Sequence, residues 1–243
     1  MKMLVMIIVP LSFQLTLNLR QGSFSDWIAL LGHLSSQPNL KPCANPALFP
    51  VAEAPPEIPR VMLTFPNLGL QFDASSLGWS LRWAELPTRN LKLDHMEKRR
   101  DLAVSELLAA AEKFNIKPVR LGSVITWAIQ PEEKPAMWIA KIFFKPELVS
   151  GAPFNRPNLL EIHSHKVFKA DDFDVNSWAR VKSEALLQPS EDFKTPAVIT
   201  FHTDLNTLAE ETVERDYEQA RKFFSSTWKH HRQIATLYLG VQT

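Results

Sequence analysis

The chain has one cysteine in 243 residues, Cys43, so no disulfide can form within it. A lone thiol fits a reducing compartment, and a cytoplasmic setting is the expectation. Glycine is scarce too, at seven residues. No Walker loop and no G-x-G-x-x-G occurs, which excludes the usual glycine cradles for nucleotide phosphates. The G-x-S-x-G elbow and the H-E-x-x-H zinc motif are also missing. Neither sign of charge prevails: 27 Lys and Arg stand against 26 Asp and Glu, a formal net charge of +1. That balance argues against a dedicated nucleic-acid binder. No apolar run is long enough for a membrane helix. The apolar start, Met1 to Val9, resembles a leader peptide, but it passes into strict alternation: Val9, Leu11, Phe13, Leu15, Leu17 and Leu19 take turns with polar residues. A period of two reads as a half-buried strand rather than a leader or an anchor. No membrane association is expected.

Hydrophobic residues make up 45% and charged residues 22%, proportions that support a packed core and rule out global disorder. Proline is unevenly spread. Seven of the 18 prolines fall between Gln37 and Pro59. Neither a helix interior nor a central strand tolerates that density, so 37–59 reads as an extended surface connector. Before it, residues 4–20 form the first strand, and Ser25 can cap a helix carrying Trp27, Ile28, Leu30, Leu31 and Leu34. After it, three alternating runs around Val61–Phe65, Leu68–Phe72 and Leu77–Trp83 form a meander. A helix follows from Leu93 to Phe114, then a strand over 117–129. Pro135 starts a short apolar helix that Pro146 should end, and 147–158 reads as loop. Strands are expected over 159–169, 175–188 and 196–205.

The clearest local signal is the close of the chain. Ala197, Ile199, Phe201 and Leu205 fall on one side of a strand, while Val198, Thr200, His202 and Asp204 fall on the other. Thr207-Leu208-Ala209-Glu210 has the form of a capping box. Behind it Val213, Tyr217, Ala220, Phe224, Trp228, His231, Ile234 and Tyr238 recur in steps of three and four, the stripe of an amphipathic helix. The element order gives an α+β class: two meander-plus-helix modules, 1–130 and 131–243, with mainly antiparallel sheets backed by helices. The modules stand as separate domains or share one core.

Three constellations offer chemistry. His163-Ser164-His165 puts two imidazoles on one side of a strand, and His202 with Asp204 repeats the spacing. If the strands were neighbours, the four side chains would suit a metal-dependent or histidine-based nuclease or phosphoesterase. The blander reading places His163 and His165 on a solvated face with Glu161 and Lys169, opposite Leu160, Ile162 and Phe168. Trp178-x-Arg180-x-Lys182 presents an aromatic and two cations on one side of a strand, a candidate binding surface. Arg99, Arg100, Lys229 and Arg232 lie on the two long helices and could form a patch for nucleic-acid phosphates. The Asp171-Asp172-Phe173-Asp174 cluster reads as a polar turn, since it lacks the spaced ligands of a calcium loop. Cys43, in a proline-rich loop, has no histidine near it in sequence.

Some wording is familiar. Lys117-Pro-Val-Arg-Leu-Gly-Ser-Val-Ile-Thr-Trp127 after a helix resembles the "arginine-leucine-glycine" strand of a sporadically distributed bacterial family of hypothetical proteins with no assigned activity. The close, Val198-Ile-Thr-Phe-His-Thr-Asp-Leu-Asn206 before a helix with Tyr217, Phe223 and Phe224, is similar to that family's ending, and Leu77-Gly-Trp-Ser-Leu81 to its first half. The resemblance implies an α+β fold, and the family's patchy distribution implies mobile or defence-associated genes.

No coherent catalytic set emerges, and the proline-rich connector carries apolar anchors such as Leu48, Phe49 and Val51. The leading expectation is therefore a non-enzymatic interaction protein: an adaptor, an antitoxin-like inhibitor or an accessory subunit. It would need no cofactor and no metal. Its partner would be a protein, with self-association open. The metal-dependent or histidine-based enzyme and the RNA-binding module are the alternatives.

Overall fold

The computed structural model describes residues 7–49, 55–84, 93–151, 155, 157–185, 197–210 and 212–239. They build an α+β fold around one antiparallel sheet. In chain order the elements are β1 (Ile7–Asn18), α1 (Trp27–Ser36), β2 (Ala44–Leu48), β3 (Val61–Phe65), β4 (Leu70–Ser75), β5 (Gly78–Ala84) and α2 (Leu93–Lys113). Then come β6 (Arg120–Gln130), α3 (Pro135–Phe143), α4 (Pro146–Ser150), β7 (Glu161–Ala170), β8 (Phe173–Ala185), β9 (Ala197–Thr207) and α5 (Tyr217–Leu239). The nine strands run in the order β2-β3-β4-β5-β1-β6-β9-β8-β7. β1 lies between β5 and β6, and β6 pairs with β9, so strands from 1–130 and from 131–243 hydrogen-bond in one continuous sheet.

Alternation decides which side is buried. Phe13, Leu15 and Leu17 of β1 share one face with Leu121, Ile125 and Trp127 of β6 and with Ile199, Phe201 and Leu205 of β9, all nearly inaccessible to solvent. Leu30 and Leu34 of α1, Ala103, Leu107 and Ala111 of α2, Ile139 of α3 and Phe223 and Phe224 of α5 join them in one core. β1 departs from strict alternation at one point. The register shifts between Pro10 and Ser12, which moves Val9 to the opposite face, where it packs with Ala128 and Val198. A bulge re-aims side chains in this way, and the sequence pattern, which placed Val9 with Phe13, does not reveal it.

Several local expectations are corrected. Asp26, not Ser25, caps α1, its Oδ1 accepting from the Ala29 amide at 3.2 Å. Thr207 does not start a helix; it closes β9, and α5 begins ten residues later. The reciprocal cap is made instead by Asp216 and Gln219: the Gln219 amide donates to Asp216 Oδ1 at 2.8 Å, and the Asp216 amide donates to Gln219 Oε1 at 3.0 Å. Val213 is accordingly outside the helix and 68% exposed. The segment expected as a loop after Pro146 carries the short helix α4. The proline-rich connector holds a strand, but an edge strand: β2 has five residues, includes Pro46 and pairs only with β3. Among the described residues no helix is long and apolar enough to cross a membrane.

Candidate functional site

The helices α1, α2, α3 and α5 contribute to the core on one side of the sheet, and the other side carries polar side chains. Directly paired residues share a face, so the register lays them out in rows. One row runs Gln71, Arg82, Gln14, Val124, Asp204, Trp178, His165. The next runs Ala84, Ser12, Thr126, His202, Arg180, His163. All the candidates drawn from the three late strands therefore stand on this open face.

The four presumptive metal ligands do not converge. β8 lies between β7 and β9, with Arg180 separating His163 from His202 and Trp178 separating His165 from Asp204. Two strand spacings set the pairs roughly 10 Å apart, whereas two ligands of one metal ion lie within about 4 Å of each other. Each side chain is engaged locally. His163 Nε2 meets Glu161 Oε1 at 2.8 Å, and His165 bonds Asn176. His202 Nδ1 meets the Thr126 hydroxyl at 3.1 Å, and Asp204 accepts from the Asn206 amide. Among the described residues no group of three or more His, Cys, Asp or Glu is placed to hold a metal ion.

His202 and Asp204 are half-buried, and their titrations are displaced accordingly. Burial pushes the His202 imidazole below its ordinary value, opposed by Asp204 and reinforced by Arg180. Burial also pushes the Asp204 carboxyl up, against the hydrogen bond from Asn206 and the charges of His202 and Arg120. Gly122 lies between Thr16 and Asn206 in its row, and a Cβ there would meet Asn206 Oδ1 at 2.5 Å. The glycine lets Asn206 lie across β6 and reach Asp204.

Trp178, Arg180 and Lys182 do line up as one surface. Trp178 is 44% exposed and stacks on His165, with ring centroids 4.4 Å apart and planes 25° off parallel. Arg180 Nε pairs with Glu161 at 3.3 Å, and Lys182 pairs with Glu184 at 3.1 Å. The cations of this surface thus meet carboxylates of the same chain.

The basic residues of the helices are on the opposite side of the sheet and are partly spoken for. α2 and α5 lie antiparallel, and Arg100 packs over the Trp228 ring at 4.7 Å while donating to the Phe224 carbonyl at 3.4 Å. Arg232 pairs with Glu97 at 3.4 Å, and Arg99 donates to the Asn67 carbonyl at 3.4 Å. Lys229 is exposed and, with Trp228, Arg232, Gln233, Thr236 and Leu237, lines a cavity of about 620 Å³. The structure brings Arg100 and Arg232 together around Trp228 and Glu97, as an aromatic and ion-paired joint between two helices.

The helical stripe places His231 in the core, and the structure supplies the polar partners that hold it there. His231 of α5 is fully buried against the covered face, with Nδ1 2.6 Å from Thr203 Oγ1 and Nε2 3.0 Å from Ser123 Oγ. Burial pushes its imidazole down to about 3. A serine, histidine and threonine in sequence-distant contact suggest a nucleophile and its base, but Ser123 and Thr203 are buried as well, 4% and 0% exposed, so no substrate can reach them. The group is a core hydrogen-bond network.

No family model matches the chain, and no curated protein is significantly similar to it.

Proposed function

We propose that the protein is a non-enzymatic interaction protein whose docking surface is the open face over β7, β8 and β9, with Trp178 as its anchor. The observation that carries the reading is the Trp178–His165 stack. A tryptophan held out toward solvent and fixed by a neighbouring ring loses little conformational freedom on binding. Tryptophan and arginine are the residues that most often dominate protein–protein interfaces. The charges around it are matched within the chain, Arg180 with Glu161 and Lys182 with Glu184, which leaves little net field for nucleic-acid phosphates. Burying apolar and aromatic surface against a protein suits such a face better. The reading covers an adaptor, an inhibitor or an accessory subunit equally, and the cytoplasm is the setting that goes with it.

A photo-cross-linking residue at Val124, in the middle of the open face, tests the reading in cells, with a control at exposed Glu218 on α5. The expected result is one discrete adduct from Val124 with a different chain and none from Glu218. The captured chain, purified, should bind the full-length protein, and Trp178→Ala should weaken that binding tenfold or more, as loss of a tryptophan anchor does. Absence of an adduct, or binding unaffected by Trp178→Ala, overturns it. Salt-sensitive retention on heparin lost with Arg180→Glu would replace the protein partner by nucleic acid.

A further inference from the structure

The sheet ends at β7, and among the described residues no strand lies along its outer edge. Leu160, just before β7, turns its backbone toward β8: its amide donates to Ser183 Oγ at 2.8 Å, and its carbonyl accepts from the Ser183 amide at 2.9 Å. Orientation alternates along an antiparallel strand, so Glu161, His163, His165, Val167 and Lys169 turn their amides and carbonyls outward. Such a row is a template for another strand. The opposite edge is blunted, because β2 is short, contains Pro46 and shifts register against β3. β7 has ten residues, contains no proline and pairs with β8 without a shift along its whole length.

The side chains select the occupant. We infer that β7 pairs antiparallel with β7 of a second copy of this chain, His165 facing His165 across the two-fold axis. In that register Glu161 faces Lys169 of the second copy, and by symmetry the match occurs twice. On the covered side Ile162 faces Phe168, and both already pack against the core of their own chain, so the core continues across the seam. Lys166 faces the Ser164 hydroxyl. The bonds from His163 and Arg180 to Glu161 both use Oε1, and Oε2 accepts none among the described residues. Each His165 stacks on its own Trp178, so the seam carries four rings in a row.

Neighbouring registers are worse. A slip of one step in one direction sets Lys166 against Lys166 and His163 against Lys169. The opposite slip sets Lys166 against Ile162 and Glu161 against Val167. Like charges directly opposite each other destabilise a strand pair. A lone lysine on the covered face of an edge strand commonly prevents strand addition; here it disfavours both neighbouring registers relative to the one that sets it against Ser164. The inference rests on the free backbone edge of β7 and the Glu161–Lys169 match, the docking reading on Trp178, so each can fail while the other stands.

Sedimentation of the full chain at high micromolar concentration tests it. The wild type should sediment at twice the chain mass. Glu161→Lys alone and Lys169→Glu alone should each sediment as monomers, because either homodimer sets like charges together twice. An equimolar mixture of the two variants should return to twice the chain mass, since each copy then meets its complement at both positions. A monomeric wild type, dimeric single variants, or a mixture that stays monomeric overturns the inference. None of these results changes the cross-link expected from Val124.

Discussion

The two faces of the sheet are made by alternate residues of the same strands, yet they obey different rules. On the covered face Ile199, Phe201, Thr203 and Leu205 of β9 are inaccessible, and the hydroxyls of Thr203 and of Ser123 on β6 close on His231. On the open face, one residue along, His202 bonds Thr126 of the adjacent strand, Asp204 and Asn206 bond each other within β9, and all three retain contact with solvent. His202 and His231 mark the contrast. Both imidazoles bond a threonine hydroxyl, and burial pushes both down, but only His231 is sealed. Stability therefore resides on one face, which leaves the other tolerant of change and available for recognition.

The comparison can be broken most severely from the covered side. Phe201→Ala removes a fully buried ring between β6, β8 and Tyr238, and should cost about 3–5 kcal/mol in chemical denaturation. His231→Ala strands two buried hydroxyls and should cost about 2–4 kcal/mol. His231 also sets a pH dependence. Its folded value of about 3 lies below the ordinary 6.5, so the unfolded chain binds the extra proton between those limits. The stabilisation is complete above pH 6.5 and is lost progressively as pH falls toward 3; its size is of order 5 kcal/mol, and His231→Ala should flatten that slope.

Open-face changes should be gentler. Gly122→Ala collides with Asn206 Oδ1, the end of a movable side chain, and should cost about 1 kcal/mol; Asn206→Ala in the same chain should recover most of it. Trp178→Ala should change stability by less than about 1 kcal/mol while weakening the proposed partner binding tenfold or more. A large unfolding effect at Trp178 would show that the open face is structural after all.

Much of the fold is legible because it rests on local periodicity. The alternation in Phe13, Leu15 and Leu17, in Leu81 and Trp83, and in Phe201 and Leu205 identifies strands and their inner sides correctly. So do the stripe of α5 from Ala220 onward and the proline at the start of α3. What is not legible depends on pairing between distant segments. His163 and His202 have the right spacing for chelation within their own strands, but only the strand order shows Arg180 between them. Thr207 to Glu210 has the composition of a helix cap, yet β9 continues through Thr207 because its hydroxyl accepts from the Leu121 amide at 3.1 Å and its carbonyl from Arg120 Nε at 3.1 Å. Tertiary contacts override the local signal there. The Ser123–His231–Thr203 network joins three elements: the stripe of α5 shows His231 to be core, but only the pairing of β6 and β9 shows which hydroxyls satisfy it.

The place of β1 has a consequence for biosynthesis. The strand is made before both of its neighbours, β5 and β6, which end at Ala84 and Gln130. At translation rates of roughly 5–20 residues per second, its apolar side chains wait on the order of seconds for the first neighbour and longer for the second. During that interval Phe13, Leu15 and Leu17 form an unpaired hydrophobic strand, the kind of segment that chaperones hold and that aggregates when they do not. The most central strand of the finished sheet is thus the one that waits longest between its synthesis and its enclosure, and the yield of folded protein should depend on how quickly residues 78–130 follow it.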